Sequence, residues 1–290
     1  MRVYALSEDF FAEARKEEQV KQPTHDVTQF HTVDQTANPT SFVQFMETSH
    51  TQPTVQSYKQ AIMEQLAVKA GATILDVGCG TGQDALDLAQ AVGPHGRVVG
   101  IDCSETMLEA ARARAAQTQL PVEYVRASAT QLPFADASFD ACQASRVFGH
   151  LREPERALAE MVRVARSGAR IVVADGDLDL IAVDIPDRAL ARKVIHAACD
   201  QMVQGWMGRQ LSRLFRAAGL STIWVEGRLM PLDYAFFQTA FRGMLQRAQG
   251  AGAISEQELT RFWEALEQAE QERHFFARAG GFVVSGRKPA

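Results

Sequence analysis

Three glycines alternate with other residues directly after an apolar run, in the segment 74–84, Ile-Leu-Asp-Val-Gly-Cys-Gly-Thr-Gly-Gln-Asp. Gly78, Gly80 and Gly82 favour a tight turn from a strand into a helix, because glycine adopts positive φ angles and has no Cβ atom to keep a ligand from the backbone. The amide groups at the start of the following helix can then face that ligand. Dinucleotide sites use Gly-x-Gly-x-x-Gly at this point, whereas here the third glycine comes one residue earlier. The pattern predicts a site for a nucleotide-type ligand.

Two carboxylates stand where such a ligand would need them. Asp76 precedes the first glycine by two residues, and Asp102 ends the next apolar run, residues 97–102. In a nucleotide-binding sheet, an acid at the end of the second strand holds the ribose and follows the glycine turn by about 20 residues. An ionised carboxylate accepts strong hydrogen bonds from both ribose hydroxyls. The alternative for Asp102 is a charge at the N-terminus of the helix that begins near Ser104.

This arrangement resembles motif I of the class I S-adenosylmethionine (SAM)-dependent methyltransferases. The resemblance implies that Asp76 faces the methionine end of the cofactor, S-adenosyl-L-methionine, and that the glycine turn, with Gln83 directly after it, lines this cofactor. A second match is the segment 132–140, Leu-Pro-Phe-Ala-Asp-Ala-Ser-Phe-Asp. It is similar to the loop before strand four in methyltransferases of the ubiquinone/menaquinone-biosynthesis type, the methyltransferase type 11 family. The resemblance covers residues 53–175 well and the rest of the chain in outline.

The residues expected at the adenine end of the cofactor differ from the family pattern. That family usually carries Gly-Asp-Ala upstream of Leu-Pro-Phe, with the aspartate on the adenine amino group, whereas this chain reads Ala-Ser-Ala at residues 127–129. Ser128 can still accept a hydrogen bond, at about half the strength of a charge-assisted one. We therefore expect the backbone of Ala129, and packing against Cys103 and Met107, to hold the adenine.

Candidate catalytic residues lie at two places. The segment 145–151 follows strand four, where this fold places groups between cofactor and substrate. His150 there is a candidate general base, or a structural residue at the following helix. Arg146 either binds a substrate carboxylate or phosphate or stacks over the cofactor. His31 and Asp34 would share a helix face as a proton-abstracting pair, with a solvated helix face as the plainer alternative.

No metal site is predicted. Strand four ends in Ala-Ser at residues 144–145, without the acids that bind magnesium in catechol-type O-methyltransferases. The four cysteines lack metal-ligand spacing, and we expect free thiols. Three acids, Asp175, Asp177 and Asp179, follow the predicted strand five; they suit a cation or an amine substrate, or they are solvated loop acids.

The rest of the chain alternates strand and helix patterns, which indicates an α/β fold with helices on both faces of the sheet. The seven predicted strands have their cores at residues 74–77, 97–102, 122–125, 139–144, 170–174, 222–226 and 282–284. The resemblance implies a Rossmann-like, mostly parallel seven-stranded sheet. In that sheet strand seven is antiparallel and lies between strands five and six.

Three additions to this core are expected to decide the substrate. One is the acidic stretch that follows strand five, with Asp175, Asp177 and Asp179. Residues 1–50 are predicted to form a helical N-terminal lid, with a charged helix at residues 7–20. The SAM-binding methyltransferase domain would then span residues 51–290. Between strands six and seven, the segment 233–272 reads as a helical insertion of two helices separated by Gly-Ala-Gly. The two alternatives for this helical pair are a cover over the pocket and a homodimer interface, and its apolar density indicates only that it buries a surface.

Charge and hydropathy narrow the class of partner. The net charge of −5 is unlike the basic surface of proteins that bind nucleic acid. No apolar run reaches the roughly 20 residues that span a bilayer, and the first residues are charged where a signal peptide is apolar. We therefore expect a cytoplasmic protein that binds neither membrane nor nucleic acid.

The hypothesis that accounts for these features together is a SAM-dependent methyltransferase acting on a carbon, nitrogen or oxygen atom of a small-molecule metabolite. One alternative is a Rossmann-type NAD-dependent oxidoreductase, for which the chain lacks both Gly-x-Gly-x-x-Gly and an active-site Tyr-x-x-x-Lys. The other alternative is a non-catalytic SAM-binding protein. It would be expected to lose cofactor contacts that this chain keeps, Asp76, Gly80 and Asp102.

Overall fold

The computed structural model describes residues 26–290, so the helix predicted at residues 7–20 lies outside the described residues. Seven strands form one sheet: β1 Thr73–Val77, β2 Arg97–Asp102, β3 Val122–Arg126, β4 Phe139–Ser145, β5 Ala165–Val183, β6 Ser221–Leu232 and β7 Ala277–Arg287. Their order is β3-β2-β1-β4-β5-β7-β6. β7 runs antiparallel to both of its neighbours, β5 and β6. The predicted α/β class and the insertion of strand seven between strands five and six are confirmed.

Nine α-helices connect these strands within residues 26–290: α1 Pro39–Thr51, α2 Pro53–Leu66, α3 Gln83–Val92, α4 Glu105–Ala115, α5 Pro154–Val164, α6 Arg188–Cys199, α7 Met207–Ala217, α8 Tyr234–Gly250 and α9 Glu256–Gln271. On one face of the sheet, Met161 of α5 and Phe215 of α7 lie in one apolar layer. On the other face, Ile62 of α2 and Leu88 of α3 lie in a second layer. The central strands are therefore buried on both faces, as a parallel sheet requires.

The register of the central strands brings their carboxyl ends together. Asp76 in β1 is aligned with Gly100 in β2, and also with Gln143 in β4. The residues that follow β1, β2 and β4 therefore emerge at one edge of the sheet. Ligands bind at this edge in open α/β sheets.

Strands five, six and seven continue well beyond their predicted ends. Because β5 runs for 19 residues, the prediction that strand five ends at residue 174 is wrong. The extra length pairs with β7, where Val183 is aligned with Ala277. A separate apolar cluster covers this extension, and Phe237 of α8 and Phe262 of α9 are fully buried in it. The two insertion helices were predicted from sequence, whereas α6, which packs beside them, was not.

An N-terminal segment, residues 26–52, lies across the sheet edge. It contains a 3₁₀ helix, Val27–Gln35, followed by α1. Phe45 of α1 stacks on Phe236 of α8 at 5.9 Å between ring centroids, and Asp26 forms an ion pair with Arg247 of α8 at 2.7 Å. The segment thus connects the core to the helical insertion. None of the helices in the described part of the chain is long and apolar enough to cross a membrane.

Candidate cofactor and active site

The glycine turn has the backbone that its sequence predicts. Gly78, Gly80 and Gly82 have φ angles of 69°, 53° and 79°, in the left-handed region that favours glycine. A Cβ atom on Gly78 would overlap the side chain of Val147, and one on Gly82 would overlap Tyr124. Both conformation and close packing therefore require glycine here.

Two side chains that were not foreseen hold this turn from outside. The Tyr124 hydroxyl donates a hydrogen bond to the Gly82 carbonyl at 3.1 Å, and the Arg114 guanidinium donates one to the Thr81 carbonyl at 2.5 Å. Gly100 leaves room for Tyr124, because a Cβ atom there would lie 2.9 Å from the tyrosine ring. The shape of the turn thus depends on β3 and α4 as well as on its own glycines.

Asp102 lies between the glycine turn and α4. One carboxylate oxygen accepts a hydrogen bond from the Gly80 amide at 2.9 Å, and the other accepts one from the Ser104 amide at 2.9 Å. Burial raises the pKa of Asp102, against the lowering effect of these amide bonds. Each carboxylate oxygen can accept a further hydrogen bond, so Asp102 can also bind the two hydroxyl groups of a diol.

Asp76 is buried directly beneath the turn, with 2% of its surface exposed. Its Oδ1 atom accepts a hydrogen bond from the Gln143 amide at 3.0 Å, while its Oδ2 atom is buried and has no partner within residues 26–290. Burial, with the negative charge of Asp84 added to it, raises the pKa of Asp76 to about 7. A buried carboxylate oxygen without a donor is costly, which is a reason to expect a ligand at Oδ2.

The residues predicted to hold adenine lie along α4 and the loop after β3. Met107 is buried against Phe42 of the N-terminal segment, and Cys103 is exposed. The exposed Ser128 hydroxyl accepts a hydrogen bond from the Thr130 amide at 3.2 Å within a turn. Two further residues predicted to contact the cofactor are Ala129 and Gln83. Ala129 packs against the main core, and the side-chain amide of Gln83 donates a hydrogen bond to Asp87 at 3.2 Å.

Arg146 and His150 follow β4, as predicted, and contact the N-terminal segment. Arg146 has a φ angle of 58°, an unusual value for a residue with a side chain, and donates a hydrogen bond to the Ser49 hydroxyl at 2.7 Å. Its guanidinium lies 5.9 Å from the ring centroid of Tyr58. The Phe30 ring covers His150, with 5.5 Å between the ring centroids.

The environment of His150 keeps its imidazole neutral. Burial, together with the positive charges of His31 and Arg146, lowers the pKa of His150 to about 4. Its Nδ1 atom is buried without a hydrogen-bond partner among residues 26–290. The neighbouring Asp175 accepts a hydrogen bond from the Gly149 amide at 2.9 Å, and burial raises the pKa of this carboxyl to about 6.

Comparisons with known proteins identify the family. Residues 75–173, which include all of these central motifs, match a family described as a methyltransferase domain. A demethylmenaquinone methyltransferase of Clavibacter sepedonicus is 34% identical over 183 residues, which are 58% of this chain and 73% of that one. The chain belongs to the class I SAM-dependent methyltransferases. The cofactor of this family is S-adenosyl-L-methionine.

The chain spans about half the length of the first curated relatives it matches. One of these relatives is an uncharacterised 37.1 kDa protein in transposon TN4556 of Streptomyces fradiae, 39% identical over 62% of this chain and 52% of that one. Among solved structures, a Haemonchus contortus phosphoethanolamine N-methyltransferase 2, in complex with phosphomonomethylethanolamine and S-adenosylhomocysteine, has a TM-score of 0.58. It is 17% identical and covers 89% of this chain and 59% of its own. That likeness shows the methyltransferase fold.

The residues of this chain fit the family's cofactor. The Oδ2 atom of Asp76 is an acceptor without a donor, and it lies beside a turn whose glycines leave the backbone open to a ligand. Asp102, at the next strand end, keeps acceptor capacity for ribose hydroxyls. These groups suit a ligand with a polar amino acid end and a ribose.

The structure places His31 and Asp34 in different environments. His31 is exposed, and the 3₁₀ helix that carries both residues is broken at Thr32, whose φ angle is −138°. The carboxylate of Asp34 accepts hydrogen bonds from the Ser104 hydroxyl at 2.5 Å and from the Glu105 amide at 2.8 Å. Burial opposes the charge on Asp34, yet these bonds outweigh it and lower its pKa. Asp34 thus joins the N-terminal segment to the start of α4.

The acids that follow the predicted strand five are not solvated loop acids. Asp177 is fully buried in the extension of β5 and forms a two-pronged ion pair with Arg209, which also lies 3.6 Å from Asp179. Asp175 is held by backbone amides beneath Gly149. A buried carboxylate needs such a partner, so the Asp177–Arg209 pair has a structural explanation.

Two further expectations concern metals and thiols. Across residues 26–290, no three His, Cys, Asp or Glu side chains come together as a metal ligand set. All four cysteines of the chain are free, and three of them are buried. Three of the thiols thus lie in the core, and the exposed Cys103 follows Asp102 in the chain.

Sequence reasoning missed Gln143 and Asp175. Gln143 had a signal, since it is a polar residue in the middle of an otherwise apolar strand, in register with Asp76. Asp175 was grouped with Asp177 and Asp179, either as a site for a cation or an amine substrate or as solvated loop acids. Its position, one residue after the run 170–174 and level with the end of β4, would have placed it beside Arg146 and His150.

Proposed function

We propose that the protein transfers a methyl group from SAM to a carbon, nitrogen or oxygen atom of a small-molecule metabolite. The observation that carries this proposal is the unpartnered, buried Oδ2 atom of Asp76 beside the glycine turn, with Asp102 at the next strand end. Family membership supports the same reaction. Because the chain spans about half the length of several relatives, their substrates are not transferred to it.

In this proposal the cofactor lies along the carboxyl ends of β1 and β2. Asp76 holds its amino acid end and Asp102 its ribose, through hydrogen bonds to the carboxylates. The adenine packs on Cys103 and Met107, near Ser128 and Ala129. Gln83 and Arg146 complete the set of proposed contacts.

When bound, SAM supplies a methyl group that is already activated on a sulfonium sulfur. The residues of the chain then have to align the nucleophile and exclude water, and alignment alone contributes several kcal/mol. The packing of Phe30 over His150 supports a water-poor site. A neutral His150, with its unpartnered Nδ1 atom, can accept a proton or a hydrogen bond from an O–H or N–H nucleophile.

The N-terminal lid and the helical insertion are proposed to cover the substrate. Contacts between Phe45 and Phe236, and between Asp26 and Arg247, support this arrangement because they join the two additions. Phe30, Phe45 and Phe236 give this cover an aromatic lining, which favours a substrate with an apolar or planar part. His31 remains a second proposed acid–base residue, whereas the carboxylate of Asp34, its predicted partner, is bound by Ser104 and Glu105.

Calorimetric titration of the full chain with SAM and with NADH tests the proposal. SAM should bind, with S-adenosylhomocysteine competing, and NADH should not; the opposite result would favour the oxidoreductase alternative. Asp76→Asn and Asp102→Ala should weaken SAM binding. Glu109→Gln, which neutralises an exposed carboxylate on α4, serves as the matched control.

Incubation of the protein with methyl-labelled SAM and a small-molecule extract should then yield labelled product. SAM binding without any labelled product would favour a non-catalytic SAM-binding protein.

A homodimer, a cytoplasmic location and the lack of nucleic-acid binding stay proposals. Edge strand β6 supports the homodimer, because Val225 and Leu229 point to one face and are 44% and 68% exposed. Apolar side chains on an edge strand favour association. Light scattering of the wild type and of Leu229→Lys tests this, since only the wild type should have twice the chain mass.

A further inference from the structure

A cavity of about 260 Å³ lies at the end of the sheet opposite the glycine turn. It is lined by Gln65, Arg170, Thr222, Trp224, Ser285, Gly286 and Arg287. Arg170 is aligned with Ala141 near the start of β4, whereas the methyl-transfer residues follow the far end of that strand. The cavity is therefore separate from the proposed SAM site.

Two arginines lie side by side in the wall of this cavity. Arg170 in β5 and Arg287 in β7 are direct partners in antiparallel strands, so their side chains leave the same face of the sheet. Like charges at directly opposite positions destabilise a strand pair. No acid lines the cavity, and neither arginine forms an ion pair with any residue from 26 to 290. The fold thus keeps two uncompensated positive charges side by side.

The hydrogen-bond donors of this pair are incompletely used. Arg170 donates from Nη1 to the Gln65 carbonyl at 2.8 Å, but its Nε atom is buried without an acceptor in the described chain. Arg287 donates from Nη1 to the Gly168 carbonyl at 3.2 Å. The Gln65 amide oxygen accepts from the Ser285 hydroxyl at 2.8 Å, which leaves the NH2 group of Gln65 as a further donor. A buried donor without an acceptor costs about 1–3 kcal/mol.

A bulge in β6 shapes the remaining wall. Ser221 pairs with Arg287 and Trp224 with Ser285, so three residue steps of β6 match two of β7. Thr222 lies in this bulge with a φ angle of 50°, which is rare for a β-branched residue. Bulges of this kind are common beside functional sites. Here the bulge sets the Trp224 side chain against the cavity that contains the arginines.

We propose that this cavity binds a small oxyanion, a carboxylate or a phosphate, with Trp224 as the wall for any planar group attached to it. An oxyanion removes the repulsion between Arg170 and Arg287 and accepts from the unpartnered donors. Guanidinium groups bind carboxylates and phosphates through two parallel N–H···O bonds, which matches this donor set. The ligand would be separate from both the methyl donor and its acceptor.

Calorimetry and thermal unfolding of the full chain test this site, with benzoate, acetate and inorganic phosphate as probes at constant ionic strength. At least one probe should bind, and Arg287→Met should weaken it by roughly tenfold or more, because a charge-assisted pair is lost. Arg192→Met, an exposed arginine on α6, is the matched control and should leave binding unchanged. Benzoate in preference to acetate would assign the planar group, and phosphate alone would assign a free or esterified phosphate.

A second measurement, of thermal stability, tests the repulsion between Arg170 and Arg287 in the same variant. In chloride buffer without the probes, Arg287→Met should have a higher Tm than the wild type, since one of two like charges is gone. Adding the bound probe should raise the Tm of the wild type more than that of the variant. The proposal is overturned if no probe binds, or if Arg287→Met binds the probes as the wild type does.

Discussion

The carboxylate of Asp102 accepts a hydrogen bond from the amide of Gly80 at 2.9 Å. This bond joins the end of β2 to the glycine turn that follows β1. The second carboxylate oxygen accepts from the Ser104 amide, so the same side chain also fixes the start of α4. The two sequence alternatives for Asp102, ribose binding and a charge at a helix N-terminus, are therefore compatible in one position.

Replacing Asp102 should abolish most SAM binding. We expect Asp102→Ala to lower the SAM affinity by about 100-fold or more, because charge-assisted bonds to the ribose are lost and the glycine turn loses its acceptor. Ser128→Ala should change the affinity by less than about threefold, since a neutral serine at a turn adds little. Calorimetric titration measures both. Equal losses in the two variants would show that Ser128 carries the adenine contact that we assign to packing.

Asp76 should make stability depend on pH. Its folded-state pKa of about 7 lies above the ordinary value of 3.8, so the folded protein retains this proton as pH rises. The resulting stability is complete below pH 4 and is lost between about pH 4 and pH 7. Asp76→Asn removes this loss, and it should raise the free energy of unfolding at pH 8 by at most about 4 kcal/mol, since one pKa unit corresponds to about 1.4 kcal/mol. Denaturant unfolding at pH 5 and pH 8 measures the difference.

The control for Asp76 separates its titration from that of Asp175, whose pKa is also raised. Wild type and Asp76→Asn both retain Asp175, so the contribution of Asp175 to the pH dependence of stability cancels in the difference between them. Glu109→Gln, which neutralises an exposed carboxylate on α4, is the matched control. If Asp76→Asn is no more stable than the wild type at pH 8, Asp76 is already ionised in the folded protein and a donor for Oδ2 must exist.

The core of the site could be predicted from sequence because its information is local. A strand, a glycine turn and a helix follow one another within residues 74–84, and φ angles above 50° at the three glycines match that reading. The end of β2 at Asp102 follows from the same strand–helix alternation. Local structure of this kind depends on residues that are close in the chain, so it can be predicted without knowledge of tertiary contacts.

The contacts that complete the site join distant parts of the chain, and sequence patterns do not report them. Asp34 and Ser104 are 70 residues apart, and their contact depends on the path of the N-terminal segment. The length of β5 was missed for a related reason. Alternating aspartates at 175–179 read as a loop, whereas the buried ion pair between Asp177 and Arg209 keeps this acidic stretch in the sheet.

Asp34 should anchor the N-terminal segment to α4. Asp34→Ala removes the acceptor for the Ser104 hydroxyl and for the Glu105 amide, and it takes a negative charge from a helix N-terminus. We expect the free energy of unfolding to fall by about 1 kcal/mol. Amide hydrogen exchange should increase within residues 27–51. Asp26→Asn, which weakens the second anchor at Arg247, is the comparison. Unchanged exchange in Asp34→Ala would mean that apolar packing alone holds the segment.

His150 should stay neutral across the physiological range. Burial and the nearby positive charges place its pKa at about 4, so no His150 titration is expected between pH 5 and pH 9. The imidazole resonances of the full chain, assigned by comparison with His150→Gln, should therefore not shift over that range. The matched control for this assignment is His31→Gln, which removes an exposed imidazole. Once an acceptor substrate is known, the pH profiles of kcat/KM for wild type and His150→Gln should run parallel, with the variant lower by roughly 100-fold if His150 takes the proton. A histidine that titrates near pH 6.5 and disappears in His150→Gln would show that the covering Phe30 ring does not exclude water from the site.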